Sequence, residues 1–247
     1  MIAAIWGSPG SGKTITAVKI AKALADKKKN VIIVGCDIAV PLLPVLLPSE
    51  NEVSSLGEVL SLPTLSDISV LQHCVPFKNK YISILGYRLG DNIQTYPDYS
   101  FSPQRAKEFI SILKGTADYV IIDCTSNHIN NKLTATALEQ ADITFKVVNA
   151  DLKSISFLES QSPLLQGANF KYNQQINIIS DVLPSQDITP LTEYLGKSPY
   201  ILPHVSSLKE QYDCGGLLDT VFGKSAKDYV MAINLIVKEV FKDNEAS

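Results

Sequence analysis

An octapeptide near the start of the chain restricts the fold more than any other stretch. Its spacing is Gly-x-x-x-x-Gly-Lys-Thr, and it lies between an apolar run at residues 2–6 and an amphipathic segment at 14–25. Glycines let a backbone turn tightly enough for successive N–H groups to converge on a phosphate, and the following helix N-terminus adds partial positive charge. The pattern predicts a strand, a phosphate-binding loop (P-loop) and a helix. The predicted nucleotide-contacting residues of the loop are Gly7, Ser8, Pro9, Gly10, Ser11, Gly12, Lys13 and Thr14.

Two side chains of this loop have chemical roles of their own. The Lys13 ammonium would reach the β- and γ-phosphates of a nucleotide, and the Thr14 hydroxyl would ligate Mg²⁺. The alternative is a Gly/Ser turn with an incidental lysine. The strand and helix patterns on either side of the loop favour the P-loop.

The composition predicts a globular α/β protein without a general attraction to polyanions. A chain of 247 residues with 45% hydrophobic content can form one large domain, and no linker divides it, so we predict a single domain at 1–247. The net charge of −3 gives no direct signal for nucleic acid or anionic lipid. An apolar stretch at 31–48 contains Asp37 and three prolines, which argues against a transmembrane segment.

The cysteines and the chain start favour a cytoplasmic location. The four cysteines form no CxxC pair, as expected for free thiols in a reducing compartment. Because the first predicted strand begins at residue 2, no signal peptide is expected.

Two carboxylates follow buried strands. Asp37 comes just after the run at 31–34, and Asp123 follows the run at 119–122. The carboxyl ends of parallel strands share one edge of an open sheet, where ligands bind. Asp123 is therefore a candidate Walker B residue that holds the Mg²⁺ shell opposite Thr14, although many ordinary strands also end in Asp.

The rest of the chain alternates strand and helix patterns, which predicts an α/β fold with a mainly parallel twisted sheet and helices on both faces. Three prolines predict a broken apolar segment at 38–50. Further predicted strands are 70–75, 81–85, 143–148, 175–180 and 200–202, and predicted helices are 56–60, 103–113, 133–140, 154–158, 188–195 and 225–241.

The order of these motifs resembles the MinD/ParA family of cytoplasmic P-loop ATPases. The resemblance covers essentially the whole chain, with residues 38–100 matching only in outline. The segments that carry it are 12–17, 28–34, 117–123, Leu202-Pro203 and Gly215-Gly216.

The resemblance implies a three-layer P-loop NTPase sandwich that binds ATP or ADP with Mg²⁺. Family members hydrolyse ATP slowly, often form a homodimer in the ATP state, and position a partner such as DNA, a division site, or a pilus or secretion machine. By position, Lys13 and Asp37 would be catalytic, with Asp37 orienting the attacking water. Thr14 and Asp123 would hold the metal, and Pro203 would line the nucleotide site.

The chain departs from the family pattern at several positions. The family's signature lysine near the start of the loop is replaced by Ser8, which supplies no transition-state charge. Gly35 stands where a first Asp is common, residues 124–127 lack the usual glycine, and no clear adenine-binding Asn follows near Ser180. An atypical loop of this kind resembles the TadZ/CpaE-like branch.

These departures leave three hypotheses for the function. The leading one is a Mg²⁺-dependent ATPase of low turnover that positions a partner. A nucleotide-gated scaffold without useful hydrolysis is the alternative. A small-molecule kinase is disfavoured because the chain has only two arginines, Arg88 and Arg105, whereas such enzymes clamp phosphates with several guanidinium groups.

Overall fold

The computed structural model describes residues 1–48, 53–77, 80–97, 101–128 and 130–241. These residues form one eight-stranded sheet. The strands are β1 (Ile2–Gly7), β2 (Val31–Gly35), β3 (Val75–Pro76), β4 (Ile82–Leu85), β5 (Tyr119–Asp123), β6 (Ile143–Asn149), β7 (Ile176–Val182) and β8 (Tyr200–Pro203).

The strand order is β3-β4-β2-β5-β1-β6-β7-β8. All neighbours pair in parallel except β3 and β4, which are antiparallel. The P-loop strand β1 therefore lies near the middle, between β5 and β6. This arrangement brings the ends of β1, β2 and β5 to one edge of the sheet, as predicted for the site.

Ten α-helices connect these strands in the described part of the chain. They are α1 (Lys13–Ala25), α2 (Leu42–Leu46), α3 (Leu56–Ser61), α4 (Asp67–His73), α5 (Pro103–Thr116), α6 (Lys132–Gln140), α7 (Leu152–Gln161), α8 (Thr189–Leu195), α9 (Ser206–Asp213) and α10 (Ala226–Val240).

One predicted strand is wrong. The sequence predicts an extended segment at 70–75, but α4 occupies Asp67–His73 and only the two-residue strand β3 follows. The Ser66 hydroxyl accepts a hydrogen bond from Ser69 N at 3.1 Å and so caps the helix. This local cap starts a helix that the β-branched residues did not indicate.

The broken apolar segment contains a short helix. Prolines at positions 41 and 48 bracket α2, whose Leu42, Leu43 and Leu46 are buried. The last two residues of the predicted segment, 49 and 50, lie outside the described residues.

The core lies on both faces of the sheet. Alternate residues of β1 point in opposite directions, so Ala3 and Ile5 join the cluster under α1 and α10, whereas Ala4 and Trp6 join the cluster under α5 and α6. Burial on both faces explains why the central strands are continuous apolar runs. The predicted mainly parallel sheet with helices on both faces is confirmed. Among the described helices, none combines the length and apolarity that a membrane crossing requires.

Candidate nucleotide-binding site

The P-loop begins at Gly7, the last residue of β1. Any side chain at this position would displace the neighbouring backbone. A β-carbon added to Gly7 would lie 1.8 Å from the carbonyl oxygen of Val147 on β6. Gly10 and Gly12 have φ values of 75° and 77°, the left-handed region that side chains disfavour. The glycine spacing of the motif thus matches the backbone path around the end of the sheet.

Lys13 is folded back over the loop. Its Nζ donates to the carbonyl oxygen of Ser8 at 3.0 Å and to Ser126 Oγ at 2.7 Å. Burial lowers the pKa of Lys13, while the carboxylates of Asp123 and Asp37 act in the opposite direction. A half-buried ammonium whose hydrogen-bond acceptors are neutral is suited to binding an incoming anion.

Thr14 and Asp123 meet as the sequence predicts for a metal pair. Thr14 Oγ1 donates to Asp123 Oδ2 at 2.6 Å. Asp123 is 7% exposed, and within the described part of the chain its Oδ1 has no hydrogen-bond partner. Burial raises the pKa of this carboxyl to about 6, against the opposing effects of the Thr14 hydrogen bond and the Lys13 charge.

This pair fits Mg²⁺ chemically. Mg²⁺ keeps several waters and binds proteins through one or two carboxylates together with substrate phosphates. A buried carboxylate oxygen without a partner, next to a threonine hydroxyl, is an incomplete oxygen site of that kind. When bound, the ion would supply positive charge beside the β- and γ-phosphates.

Asp37 lies at the end of β2 and lines the same cleft. Its Oδ1 accepts hydrogen bonds from Ala39 N at 2.9 Å and Val40 N at 3.2 Å. These bonds fix the turn after β2 and orient the carboxylate. Among the described residues no donor contacts Oδ2, which leaves that oxygen available to a water.

The far side of the loop is tied to β6, β7 and α7. Ser8 is fully buried, and its Oγ lies 2.9 Å from Ser154 Oγ on α7. Ser180 Oγ on β7 donates to the carbonyl oxygen of Ser11, and Asn149 Nδ2 donates to the Ser180 carbonyl at 3.2 Å. These bonds anchor the loop on its buried side, while Gly10 is exposed and Gly12 is half-buried.

A cleft of about 840 Å³ opens beside the loop and is large enough for a nucleotide. Its walls come from the P-loop, the two strand-end carboxylates, the end of β8 and helices α9 and α10. Its lining residues include Gly10, Lys13, Thr14, Asp37, Val40, Asp123, Pro203 and Tyr212.

The structure brings most of the predicted site residues to this cleft. Lys13, Thr14, Asp37, Asp123 and Pro203 all line it. Gly7, Ser8 and Pro9 are absent from its walls, and Ser8 lies beneath the loop with its N–H donated to the Val147 carbonyl at 3.2 Å. Direct contact of these three residues with a nucleotide stays a prediction.

Sequence reasoning missed the residues that support the loop. Ser126 contacts the P-loop lysine, and Ser154 and Ser180 anchor the loop to neighbouring elements. Ser126 and Ser154 follow the ends of β5 and β6 by a few residues, and Ser180 lies two residues before the end of β7. That position is the available signal, because such residues gather at the ligand edge of the sheet.

Comparison with known proteins points to one family. The family profile described as "CobQ/CobB/MinD/ParA nucleotide binding domain" matches residues 2–244. The septum site-determining protein MinD of Bacillus subtilis (strain 168) is 32% identical over 118 residues, which is 48% of this chain and 42% of that protein. The chain spans about half the length of the curated relatives it matches.

Solved structures show the same fold. MinD from Pyrococcus horikoshii OT3, complexed with Mg-ADP, matches with a TM-score of 0.75 and 17% identity, covering 96% of each chain. A ParA family ATPase from Chlorobium tepidum TLS matches with a TM-score of 0.78 and 15% identity, covering 94% of this chain and 96% of that one. The predicted fold class is thereby confirmed, and the TadZ/CpaE-like resemblance stays a prediction.

Proposed function

Because the chain belongs to the CobQ/CobB/MinD/ParA nucleotide-binding family, we propose that it binds ATP with Mg²⁺ and hydrolyses it slowly in order to position a cellular partner. The observation that carries the proposal is the contact between Thr14 and Asp123 at 2.6 Å, made beside the P-loop with one carboxylate oxygen left without a partner. A loop with only a structural role would not require a buried carboxyl group next to the Thr14 hydroxyl.

Each residue has a distinct part in this proposal. The loop N–H groups and the Lys13 ammonium bind the phosphates, and Thr14 and Asp123 hold Mg²⁺. Asp37 orients the attacking water through its free oxygen. Pro203 at the end of β8 contacts the base side of the nucleotide.

The test is Mg²⁺-dependent phosphate release by the purified protein. We expect slow release that falls by about 100-fold or more in Lys13→Ala, which loses phosphate charge, and in Asp37→Ala, which loses the water-orienting carboxylate. Lys22→Ala, on the opposite end of the same helix, is the matched control and should keep the wild-type rate. Absence of release by the wild type, or equal release by all four proteins, would contradict the ATPase proposal.

A second candidate function, a nucleotide-gated scaffold without useful turnover, is favoured by Ser8. This residue is neutral, fully buried and bonded to Ser154, so its side chain supplies no charge to a phosphate. Calorimetry that detects Mg-ATP binding, combined with zero turnover even after the partner is added, would support the scaffold. Clear turnover would exclude it.

Homodimerisation in the ATP state is part of the proposal. Val40 in the cleft wall and Leu152 at the start of α7 are 56% and 83% exposed, and a second copy could cover them. Light scattering should give twice the monomer mass with Mg-ATP and the monomer mass without it. An unchanged mass would argue against an ATP-dependent dimer.

The place of action and the partner are also proposed. Cys36, Cys74, Cys124 and Cys214 are all free thiols, which is compatible with the cytoplasm. A division site, DNA, or pilus or secretion machinery are the candidate partners. Co-purification from cells with wild-type protein and with Lys13→Ala would separate partners that depend on nucleotide from those that do not.

A further inference from the structure

A second lysine approaches the P-loop from α7. A β-carbon built on Gly10 would lie 3.3 Å from Lys153 Nζ, so the ammonium is in contact range of the loop backbone. Lys153 is exposed, and within the described part of the chain it makes no hydrogen bond or salt bridge. The side chain therefore approaches the loop without an acidic partner to hold it there.

The position of Lys153 follows from the anchoring of α7. Asp151 Oδ1 accepts from Ser154 N at 2.7 Å and caps the helix. Ser154 Oγ lies 2.9 Å from Ser8 Oγ and accepts from Asn149 N at 3.1 Å. Because both serines are fully buried, the first turn of α7 is fixed against the loop, and Lys153 is the residue just before this anchor.

Two cations therefore converge on one short loop. After burial, which is the main cause, the charge of Lys153 is among the effects that lower the pKa of Lys13. Mutual repulsion of two ammonium groups is unfavourable in the free protein. It becomes favourable when a polyanion lies between or beside them, because each cation then gains an opposite charge.

We infer that Lys153 is a second phosphate-binding residue, which supplies from α7 the positive charge that position 8 of the loop lacks. Its ligand is the terminal phosphate of a nucleoside triphosphate. Gly10 is exposed and lines the cleft, so the Lys153 ammonium lies beside the part of the loop that a nucleotide in the cleft would contact. This inference rests on the proposed nucleotide binding and adds selectivity for triphosphate over diphosphate.

The charge of the ligand makes this inference measurable. ATP carries one more negative charge than ADP, and that charge is on the phosphate assigned to Lys153. An exposed ion pair contributes little in water, and salt screens it. We therefore expect a modest effect that is selective for ATP and sensitive to ionic strength.

The experiment compares dissociation constants of Mg-ATP and Mg-ADP by calorimetry at low and high salt. In Lys153→Ala we expect ATP affinity to fall by about three- to fivefold and ADP affinity by less than about twofold. Lys153→Glu should lose more ATP affinity, and Lys153→Arg should keep most of it. About 0.5 M NaCl should remove most of the difference between wild type and Lys153→Ala.

Lys227 provides the matched control. It is exposed and is the second residue of α10, as Lys153 is the second residue of α7. Lys227→Ala and Lys227→Glu should leave both affinities unchanged. Thermal unfolding of every variant verifies that the substitutions act on binding and not on folding.

The outcomes separate this inference from the proposed function. If wild type binds ATP and the Lys153 variants bind it equally well, the inference is overturned and nucleotide binding stands. An equal loss for ATP and ADP would overturn the assignment to the terminal phosphate. If wild type binds neither nucleotide, both the proposed function and the inference fail.

Discussion

At the scale of one residue, Asp123 shows that a side chain suited to binding a ligand can lower the stability of the folded protein. Its carboxyl is buried at the end of β5 with one oxygen bonded to Thr14 and the other without a partner. Burial raises its pKa to about 6, above the value of 3.8 for a free carboxyl. The folded protein therefore binds this proton more tightly than the unfolded chain does, and ionisation of Asp123 costs stability.

The pH dependence of unfolding tests this cost. In the absence of ligand, the Asp123 contribution should reduce the free energy of unfolding as pH rises from about 4 to about 7, by on the order of 2–3 kcal/mol. Asp123→Asn has no charge to bury, so at pH 8 it should be more stable than wild type by a similar amount and equal to it near pH 4. Urea unfolding of both proteins at pH 4 and pH 8 measures these differences in the free energy of unfolding.

Asp228→Asn is the control for this experiment. Asp228 is exposed on α10, and its substitution should change stability by less than about 0.5 kcal/mol at either pH. If Asp123→Asn were less stable than wild type at pH 8, the carboxylate would be stabilising and the argument would be wrong.

At the scale of elements, a buried lysine joins the P-loop helix to the cleft wall. Lys19 on α1 is 4% exposed. Its Nζ donates to Gln211 Oε1 at 2.7 Å on α9, and to the carbonyl oxygens of Leu217 at 2.6 Å and Asp219 at 3.0 Å. The segment after α9 is thereby held against α1, and α9 itself carries Tyr212 into the cleft.

Lys19→Met keeps most of the length of the side chain and removes the three N–H donors of its ammonium. The amide and carbonyl oxygens would stay buried without partners, so we expect a loss of about 2–3 kcal/mol in the free energy of unfolding. Lys22→Met on the same helix removes an exposed pair with Asp26 and should cost less than about 1 kcal/mol. Equal costs in denaturant unfolding would show that the Lys19 contacts contribute little.

At the scale of the whole molecule, the cleft is assembled from distant parts of the chain. The P-loop comes from the first residues, the carboxylates from the middle and the opposite wall from β8, α9 and α10. A ligand that binds only this assembled cleft stabilises the folded state by mass action.

Mg-ADP should therefore raise the unfolding temperature. At about 100 times the dissociation constant the gain is about 2.7 kcal/mol, which for a chain of this size corresponds to about 5–10 °C. Differential scanning fluorimetry measures this shift, and Lys13→Ala should abolish it. A shift in Lys13→Ala equal to that of wild type would mean that the nucleotide binds elsewhere.

Local patterns determined the position of the loop and of the central strands. Each depends on residues adjacent in sequence: the glycine spacing of 7–14, and the apolar runs that became β2 and β5. The same kind of pattern failed at 70–75, where a serine cap begins α4 despite β-branched residues. The two carboxylates were identified because parallel strands place their carboxyl ends at one edge.

The sequence by itself determined that this chain forms a P-loop beside two strand-end carboxylates, because glycine spacing and strand hydrophobicity are local properties. Only the tertiary structure decided which residues support that loop and which second cation lies beside it. Ser8 meets a serine 146 residues away, and Lys19 meets a glutamine 192 residues away. Lys153 reaches Gly10 only because α7 is anchored there. Pairings over such distances depend on how helices pack on the sheet, and no local pattern in one sequence encodes them.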